Sequence, residues 1–274
     1  MNMLNIWLRE DFSRLWGKSD PFDQISSLTG STVRQVANRR TFRFEISGRG
    51  FFAKVHKGAG WPEIFKNLMV GKPPVLDASN EFLAAKKLAD LGIGTLSVGA
   101  YGVKGKNPAR RESFLVTDEI TGVVSLEELV AKWRENPPIF RDRVMMLRKL
   151  GELSRKLHLG GVVHRDFYLC HILFREGDWS EMDSLMLIDL HRALIRTHIP
   201  YRYLIKDLGA LYFSSMDCGF SFRDCLRFLA HYFQLTPREV LETKTQWIID
   251  LHRRAGRLKA REIARTGKSE LLAR

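Results

Sequence analysis

The stretch Gly160-Gly161-Val162-Val163-His164-Arg165-Asp166-Phe167-Tyr168-Leu169-Cys170-His171-Ile172-Leu173-Phe174 constrains the fold more than any other. Before it, from Arg141 to Leu159, Val144, Leu147, Leu150, Leu153 and Leu157 recur at helical spacing. Glycines end that helix, a polar loop follows, and an apolar strand starts at Ile172. A second apolar run, Leu185-Met186-Leu187-Ile188-Asp189-Leu190-His191, holds one acid. Two carboxylates, Asp166 and Asp189, are thereby set at the ends of buried elements. A lone His-Arg-Asp is as readily a surface turn as a site, and an Asp closing a strand is a common polar cap. The order and spacing of the two together carry the signal.

Read in order, the chain begins with Leu4, Trp7, Leu8, Phe12, Leu15 and Trp16, mostly three or four apart. That predicts an amphipathic helix from Leu4 to Trp16, packed on the domain or lying on a membrane surface. Ser19-Asp20-Pro21 breaks it, and Phe22 to Leu28 forms a further helical turn. From Thr32 the period becomes two: Val33 and Val36, then Phe42, Phe44 and Ile46, then Phe51 to Val55 after the turn Ser47-Gly48-Arg49-Gly50. This reads as three antiparallel strands. Lys54, in the third, is costly to bury without a partner.

His56 to Asp77 is an insertion rich in Gly, Pro and Trp, with a helical turn starting at Pro62. Ala78-Ser79-Asn80-Glu81 opens a helix that Gly92 ends. Leu96 to Gly102 and Phe114 to Thr117 read as strands around a basic loop, Gly105 to Arg111. Ser125 to Glu128 is a capping box. Beyond Pro137-Pro138 the chain is helical: Tyr201 to Phe213, Phe222 to Phe233, Pro237 to Leu251, and a basic tail from His252 to Arg274. Residues 1–120 thus read as a sheet-rich domain with an N-terminal helix and the 56–77 insertion, and residues 121–274 as a helical domain. The expected class is α+β, two lobes around a cleft.

With 274 residues, 45% of them hydrophobic, the chain can bury a substantial core. No apolar run reaches the roughly 18 residues of a membrane span. Arg9, Glu10 and Asp11 follow the short apolar start too soon for a secretory signal. Three cysteines are too few for a disulfide framework, which fits a reducing cytosol. The net charge is +13, from 44 Lys and Arg against 31 Asp and Glu. It favours anionic partners, whether nucleic acid, an acidic membrane surface or a polyanionic substrate; a merely solubilising surface is the plainer explanation.

These parts resemble the catalytic set of protein kinases. The resemblance implies that Asp166 orients the acceptor hydroxyl and takes its proton, and that Asp189 holds Mg²⁺. His164 and Arg165 would hold the loop in shape, with Asp207 supporting it. Lys54, in Phe-Ala-Lys-Val, would touch the phosphates of ATP and pair with Glu81. Asp118, Glu119 and Ile120 fall where the backbone meets the adenine edge. The departures are equally informative. No Gly-x-Gly-x-x-Gly is present; the corresponding turn is Ala37-Asn38-Arg39-Arg40-Thr41, where Arg39 and Arg40 would cover the phosphates. His171 occupies the position of the second metal ligand, although imidazole suits Mg²⁺ poorly. No activation segment of usual length separates Asp189 from Asp207, which argues against a phosphorylation-switched protein kinase.

A more specific resemblance is to the bacterial lipopolysaccharide core heptose(I) kinases. It rests on His164-Arg165-Asp166-Phe167-Tyr168-Leu169-Cys170-His171, Ile188-Asp189-Leu190-His191-Arg192-Ala193, Lys206-Asp207-Leu208 with Leu211-Tyr212-Phe213-Ser214-Ser215, and Gly60-Trp61 with Glu63-Ile64 and Lys66-Asn67-Leu68. It runs from about Phe42 to Phe233. It implies a protein-kinase-like fold, with a small antiparallel-sheet lobe and a larger helical one. It implies ATP- and Mg²⁺-dependent phosphorylation at O4 of the first heptose of the inner core, on the cytoplasmic side of the inner membrane. An acyl carrier protein and peripheral contact with that membrane are the further partners implied. Arg192, Arg196 and the tail would meet substrate phosphates and carboxylates. Two other readings stand beside it. A phosphotransferase of the aminoglycoside or choline kinase type would expect an acidic pocket for a cationic substrate, and this chain is basic. A non-enzymatic basic module, for nucleic acid or membrane, would not need Lys54, Glu81, Asp166 and Asp189 in this order; no nucleic-acid partner is expected.

Overall fold

The computed structural model describes residues 4–36, 38–69, 74–175 and 184–267, apart from the side chains of Asn67 and Arg134. Two compact units divide the chain: Met1–Lys87, Thr95–Thr121 and Leu190–Arg192 form the first, and Leu88–Gly94, Gly122–Asp189 and Ala193–Arg274 the second.

The first unit is built on β1 (Leu4–Leu8), α1 (Glu10–Trp16), α2 (Pro21–Ser27), β2 (Ser31–Val36), β3 (Arg39–Ile46), β4 (Arg49–Lys57), α3 (Trp61–Met69) and α4 (Ser79–Asp90). After the two-residue β5 (Gly94–Thr95) come β6 (Val98–Lys104) and β7 (Glu112–Asp118). Six strands form one antiparallel sheet in the order β1-β6-β7-β4-β3-β2. The period of two sorts its faces. Phe42, Phe44, Phe51, Ala53, Phe114 and Val116 point to one side, where α1 and α2 cover them with Phe12, Trp16, Phe22 and Ile25. Tyr101, Val103 and Leu115 point to the other, under Ala78 and Phe82. Phe82 stacks on Tyr101 with ring centroids 4.1 Å apart. Asp20 caps α2 by accepting the Phe22 amide, with Pro21 in the first turn.

The predicted helix from Leu4 to Trp16 is instead a strand followed by a shorter helix. Leu4–Leu8 closes the open edge of β6, from Leu4 opposite Lys104 to Leu8 opposite Ala100. Sheet pairing satisfies a full row of backbone groups, which outweighs a weak helical spacing over five residues. Alternation then sends Trp7 to the α4 face, while Phe12 and Trp16 are buried on the opposite one. These rings are core, so α1 does not offer them to a membrane. The helical turn predicted at Pro62 is the longer α3; residues 70–73 of that insertion lie outside the described residues.

The second unit holds β8 (Val123–Ser125), α5 (Leu126–Glu135), α6 (Phe140–Leu159), β9 (Val162–Val163), β10 (Ile172–Arg175), β11 (Leu185–Leu187), β12 (Leu194–Ile195), α7 (Tyr201–Ser215), α8 (Phe222–Phe233), α9 (Pro237–Thr243) and α10 (Thr245–Thr266). Capping boxes open α5 (Ser125 and Glu128), α8 (Ser221 and Asp224) and α9 (Thr236 and Glu239). The helix predicted from Pro237 to Leu251 is two. Thr243 and Thr245 bond back to the carbonyls of Glu239 and Leu241, and Lys244 leaves the helical conformation between them. The second piece turns Leu251 and Ala255 inward and runs on through much of the basic tail; residues 268–274 lie outside the described residues. Helices α6, α7, α8 and α10 surround an apolar cavity of about 550 Å³, lined by Leu147, Leu150, Leu211, Phe228, Leu229 and Leu251 among others. No helix among the described residues is long and apolar enough to cross a membrane.

Candidate active site

In the first unit, β4 holds Lys54 opposite Thr41 of β3 and Leu115 of β7. Leu115 belongs to the α4 face, so the alternation that buries Phe51 and Ala53 on one side sends Lys54 to the other. There Lys54 Nζ lies 2.5 Å from Glu81 Oε1, and Glu81 is buried in the first turn of α4. A buried carboxylate needs a counter-charge, and the lysine supplies it.

The two acids at the end of β7 are held by arginines. Arg9 spans Asp118 with bonds of 2.7 and 2.8 Å, and also donates to Asp11 at 2.8 Å. Arg43 spans Glu119 with two bonds of 2.7 Å. Burial raises the Asp118 pKa, but the Arg9 guanidinium outweighs it and holds the acid below the usual range. Arg43 does the same for Glu119. The backbone of this segment is also fixed: the Asp118 amide donates to Ser97 at 2.9 Å and the Glu119 amide to Gly50 at 3.0 Å. A Cβ at Gly50 would stand 1.8 Å from Glu119 Oε2, so the carboxylate that Arg43 holds would have to move aside.

Arg39 and Arg40 lie in β3 rather than in a turn. The turn is tighter than the sequence predicts, because β3 pairs with β2 as far as Arg39 opposite Val36; Ala37 lies outside the described residues. Arg40 donates to Thr32 Oγ1 at 3.2 Å and covers the Phe42 ring at 4.5 Å. Arg39 stands opposite His56, whose pKa burial, then the Arg39 charge, lower to about 4. Arg192 closes a short 3-10 turn, Leu190–Arg192.

In the second unit, α7 sets a fully buried carboxylate, Asp207, under the loop that follows β9. Its oxygens accept the backbone amides of His164 at 2.7 Å and Arg165 at 2.8 Å. Arg165 is held with φ at 71°, a conformation that side chains with a Cβ avoid. His164 is buried and donates from Nε2 to the Ile188 carbonyl at 3.0 Å. Burial pushes its pKa down, so the ring stays neutral. Gly161, with φ at 79°, lets β9 meet β12 closely; a Cβ would stand 2.2 Å from the Arg196 carbonyl. The loop's far end is tied by the Leu169 amide to Ser214 Oγ at 3.1 Å. Arg196 lies exposed at 5.1 Å over the Tyr203 ring, with Arg202 and Lys206 around the same ring.

His171 joins Asp166 and Asp189. Its Nδ1–H donates to the Asp166 carbonyl at 2.8 Å, and its Nε2 stands 3.5 Å from Asp189 Oδ2. The hydrogen bond with Cys170, and then the Asp166 carbonyl and the Asp189 charge, lift the imidazole to about 9 against the effect of burial. The raised pKa favours the protonated ring beside Asp189. Among the described residues no group of three His, Cys, Asp or Glu side chains could hold an ion by itself. One hard carboxylate, Asp189, fits Mg²⁺, which keeps waters and takes its other ligands from substrate phosphates. Arg43 was not picked out from the sequence, and neither Arg9 nor Ser214, though named there, was assigned a part in the site. Arg43 alternates with Phe42 and Phe44, which marks an outward charge on a strand, yet nothing in the sequence names its partner.

A family model described as lipopolysaccharide kinase (Kdo/WaaP) matches residues 23–232. The chain belongs to that family. It is 41% identical over 261 residues to a lipopolysaccharide core heptose(I) kinase, WaaP, of Pseudomonas aeruginosa, covering 94% of this chain and 97% of that one. It is 38% identical over 262 residues to the Escherichia coli protein of the same name, covering 94% and 98%. A solved structure titled WaaP in complex with acyl carrier protein superposes with a TM-score of 0.80 at 37% identity, over 93% of this chain and 99% of that one. The fold is the α+β fold of this family, an antiparallel-sheet unit and a helical unit.

Proposed function

We propose that this chain is an ATP-dependent kinase that phosphorylates the first heptose of the lipopolysaccharide inner core, at O4. The observation that supports it most is the loop His164–Asp166 pinned by Asp207, in a chain that aligns over nearly its whole length with heptose(I) kinases. Asp166 orients the sugar hydroxyl and takes its proton. Lys54, aligned by Glu81, contacts the donor phosphates. Asp189 would hold Mg²⁺, which would neutralise charge on the transferring phosphoryl group. His171 fixes the Asp166 backbone through Nδ1 and steadies the Asp189 carboxylate with its charge. The segment Asp118 to Ile120 offers backbone groups to adenine, and the arginine clamps keep it in place. Arg39 and Arg40 would meet the donor phosphates, and Arg192 and Arg196 the anionic acceptor.

The reading extends to partners. The basic charge suits an acidic acyl carrier protein, and the apolar cavity of the second unit suits the hydrocarbon that such a protein carries. Peripheral contact with the inner membrane would keep the cytoplasmic enzyme near its lipid-anchored acceptor. The test is transfer of labelled phosphate from ATP to core lipopolysaccharide prepared from a strain lacking this chain, beside choline and an aminoglycoside as acceptors. Label confined to the glycolipid, and lost with Asp166→Ala, is the expected result. Label on the small cations alone would overturn the assignment.

A further inference from the structure

A surface helix normally turns its apolar stripe inward. Helix α3 does not. On a wheel of 100° per residue, Ile64, Leu68, Trp61, Phe65 and Met69 form one continuous arc, with Glu63 and Lys66 opposite. Only Ile64, at one edge of that arc, is buried, at 5% exposure. Trp61 is 48% exposed, Phe65 57%, Leu68 55% and Met69 89%. The Trp61 and Phe65 rings lie 5.7 Å apart on the helix's own surface, so they pack on each other. An apolar stripe this open, on a nine-residue helix, is a surface prepared for contact.

Its surroundings indicate the chemistry of what it meets. Lys57 at the end of β4 and Lys66 on the helix are exposed. The loop between β6 and β7 is tied to the start of α3 by the Gly60 amide, which donates to the Ala109 carbonyl at 3.0 Å. That loop brings Lys106 and Arg110, both exposed. Its other cations are engaged: Lys104 with Glu112 at 3.0 Å and Arg111 with Asp77 at 2.9 Å. Aromatic and aliphatic side chains on one face, rimmed by lysine and arginine, form the pattern of a helix that lies in the boundary between anionic headgroups and acyl chains. We infer that the exposed face of α3 docks this chain on an anionic lipid surface, Trp61, Phe65, Leu68 and Met69 entering the acyl boundary while Lys57, Lys66, Lys106 and Arg110 meet phosphates. This inference rests on the glycolipid reading, and it assigns a role to the Gly60-Trp61 and Lys66-Asn67-Leu68 strings that the catalytic parts do not use.

The test uses the full chain and vesicles of phosphatidylglycerol with phosphatidylethanolamine, beside vesicles of phosphatidylcholine. Trp61→Ala, Phe65→Ser and Met69→Ser are combined in one variant, and Lys66→Glu with Lys106→Glu in another. All five positions are exposed, so folding is not at stake, and a melting curve checks it. The chain should sediment with the anionic vesicles, and each variant should partition at least about tenfold more weakly, since affinity follows apolar area and charge. Both variants should keep transfer to a deacylated, soluble core oligosaccharide. Vesicle binding absent in the natural chain, or unchanged in the apolar variant, overturns the inference. So does loss of acyl carrier protein binding with vesicle binding intact, which would give the face to an acidic protein. Failure of the natural chain to phosphorylate the soluble acceptor would overturn the kinase reading instead, and is separable from any vesicle result.

Discussion

Replacing Asp207 with asparagine keeps the side chain's shape and removes its charge. In the folded chain one oxygen accepts the His164 amide at 2.7 Å and the other the Arg165 amide at 2.8 Å. An asparagine has one acceptor oxygen, so its NH₂ group must face one of those two N–H donors. One buried donor then loses its partner, and the surviving bond loses its charge assistance. Each change costs about 1.5–3 kcal/mol. The same bonds hold Arg165 at φ 71°, a conformation that costs about 1–2 kcal/mol without such support. The loop should therefore relax and shift Asp166, the residue proposed to orient the acceptor. Asp207→Asn should lower unfolding free energy by about 3–6 kcal/mol in urea titrations. It should also cut kcat by more than tenfold, with the KM for ATP little changed, because Lys54 and Glu81 are untouched. A variant with the natural urea midpoint and kcat within a factor of about three would refute the idea that Asp207 positions the loop.

Three other outcomes follow from the same structure. Asp189→Ala should abolish the Mg²⁺ dependence of nucleotide binding measured by calorimetry, and an unchanged dependence would place the metal elsewhere. Gly50→Ala should lose about 1–3 kcal/mol in thermal unfolding and raise the KM for ATP, because the new Cβ, 1.8 Å from Glu119 Oε2, breaks the Arg43 clamp; a neutral result would remove the clamp from the account. Stability should fall in acid: His56 has its pKa lowered to about 4 in the folded chain, against about 6.5 unfolded, so the unfolded chain binds the proton more tightly. The contribution is complete above pH 6.5 and fades toward pH 4, with about 2 kcal/mol gone at pH 5; His56→Gln should flatten the urea midpoint between pH 7 and 5, and an equally steep fall would refute it.

The parts of the fold that the sequence revealed are those with local causes. Phe42, Phe44, Phe51 and Ala53 alternate because one face of the sheet is dry, and Ser125 with Glu128 caps a helix within four residues. What escaped notice depends on distant partners. Leu4 to Leu8 reads as helix because its pairing strand lies at Val98 to Lys104, far along the chain. The break at Lys244 depends on threonine side chains that serve a helix and compete with it equally well. At the site, the residue types were legible through the kinase resemblance, which assigns phosphoryl-transfer roles to Lys54, Asp166 and Asp189 in that order. The arginine clamps on Asp118 and Glu119 were not, since an arginine in Arg-Glu-Asp or between two phenylalanines names no partner. Nor did the sequence show that the stripe of α3 lies open, because spacing marks an apolar face without saying what covers it.

The most direct test of the central claim is to locate the phosphate. Core lipopolysaccharide from a strain lacking this chain is incubated with the purified protein, ATP and Mg²⁺, and the product is examined by phosphorus–proton correlation NMR. The account predicts one new phosphomonoester, on O4 of the first heptose, absent with Asp166→Ala although that variant still folds and binds ATP. A phosphate on another sugar, or a variant that keeps more than about a tenth of the natural kcat, some 1.4 kcal/mol of barrier, would contradict it.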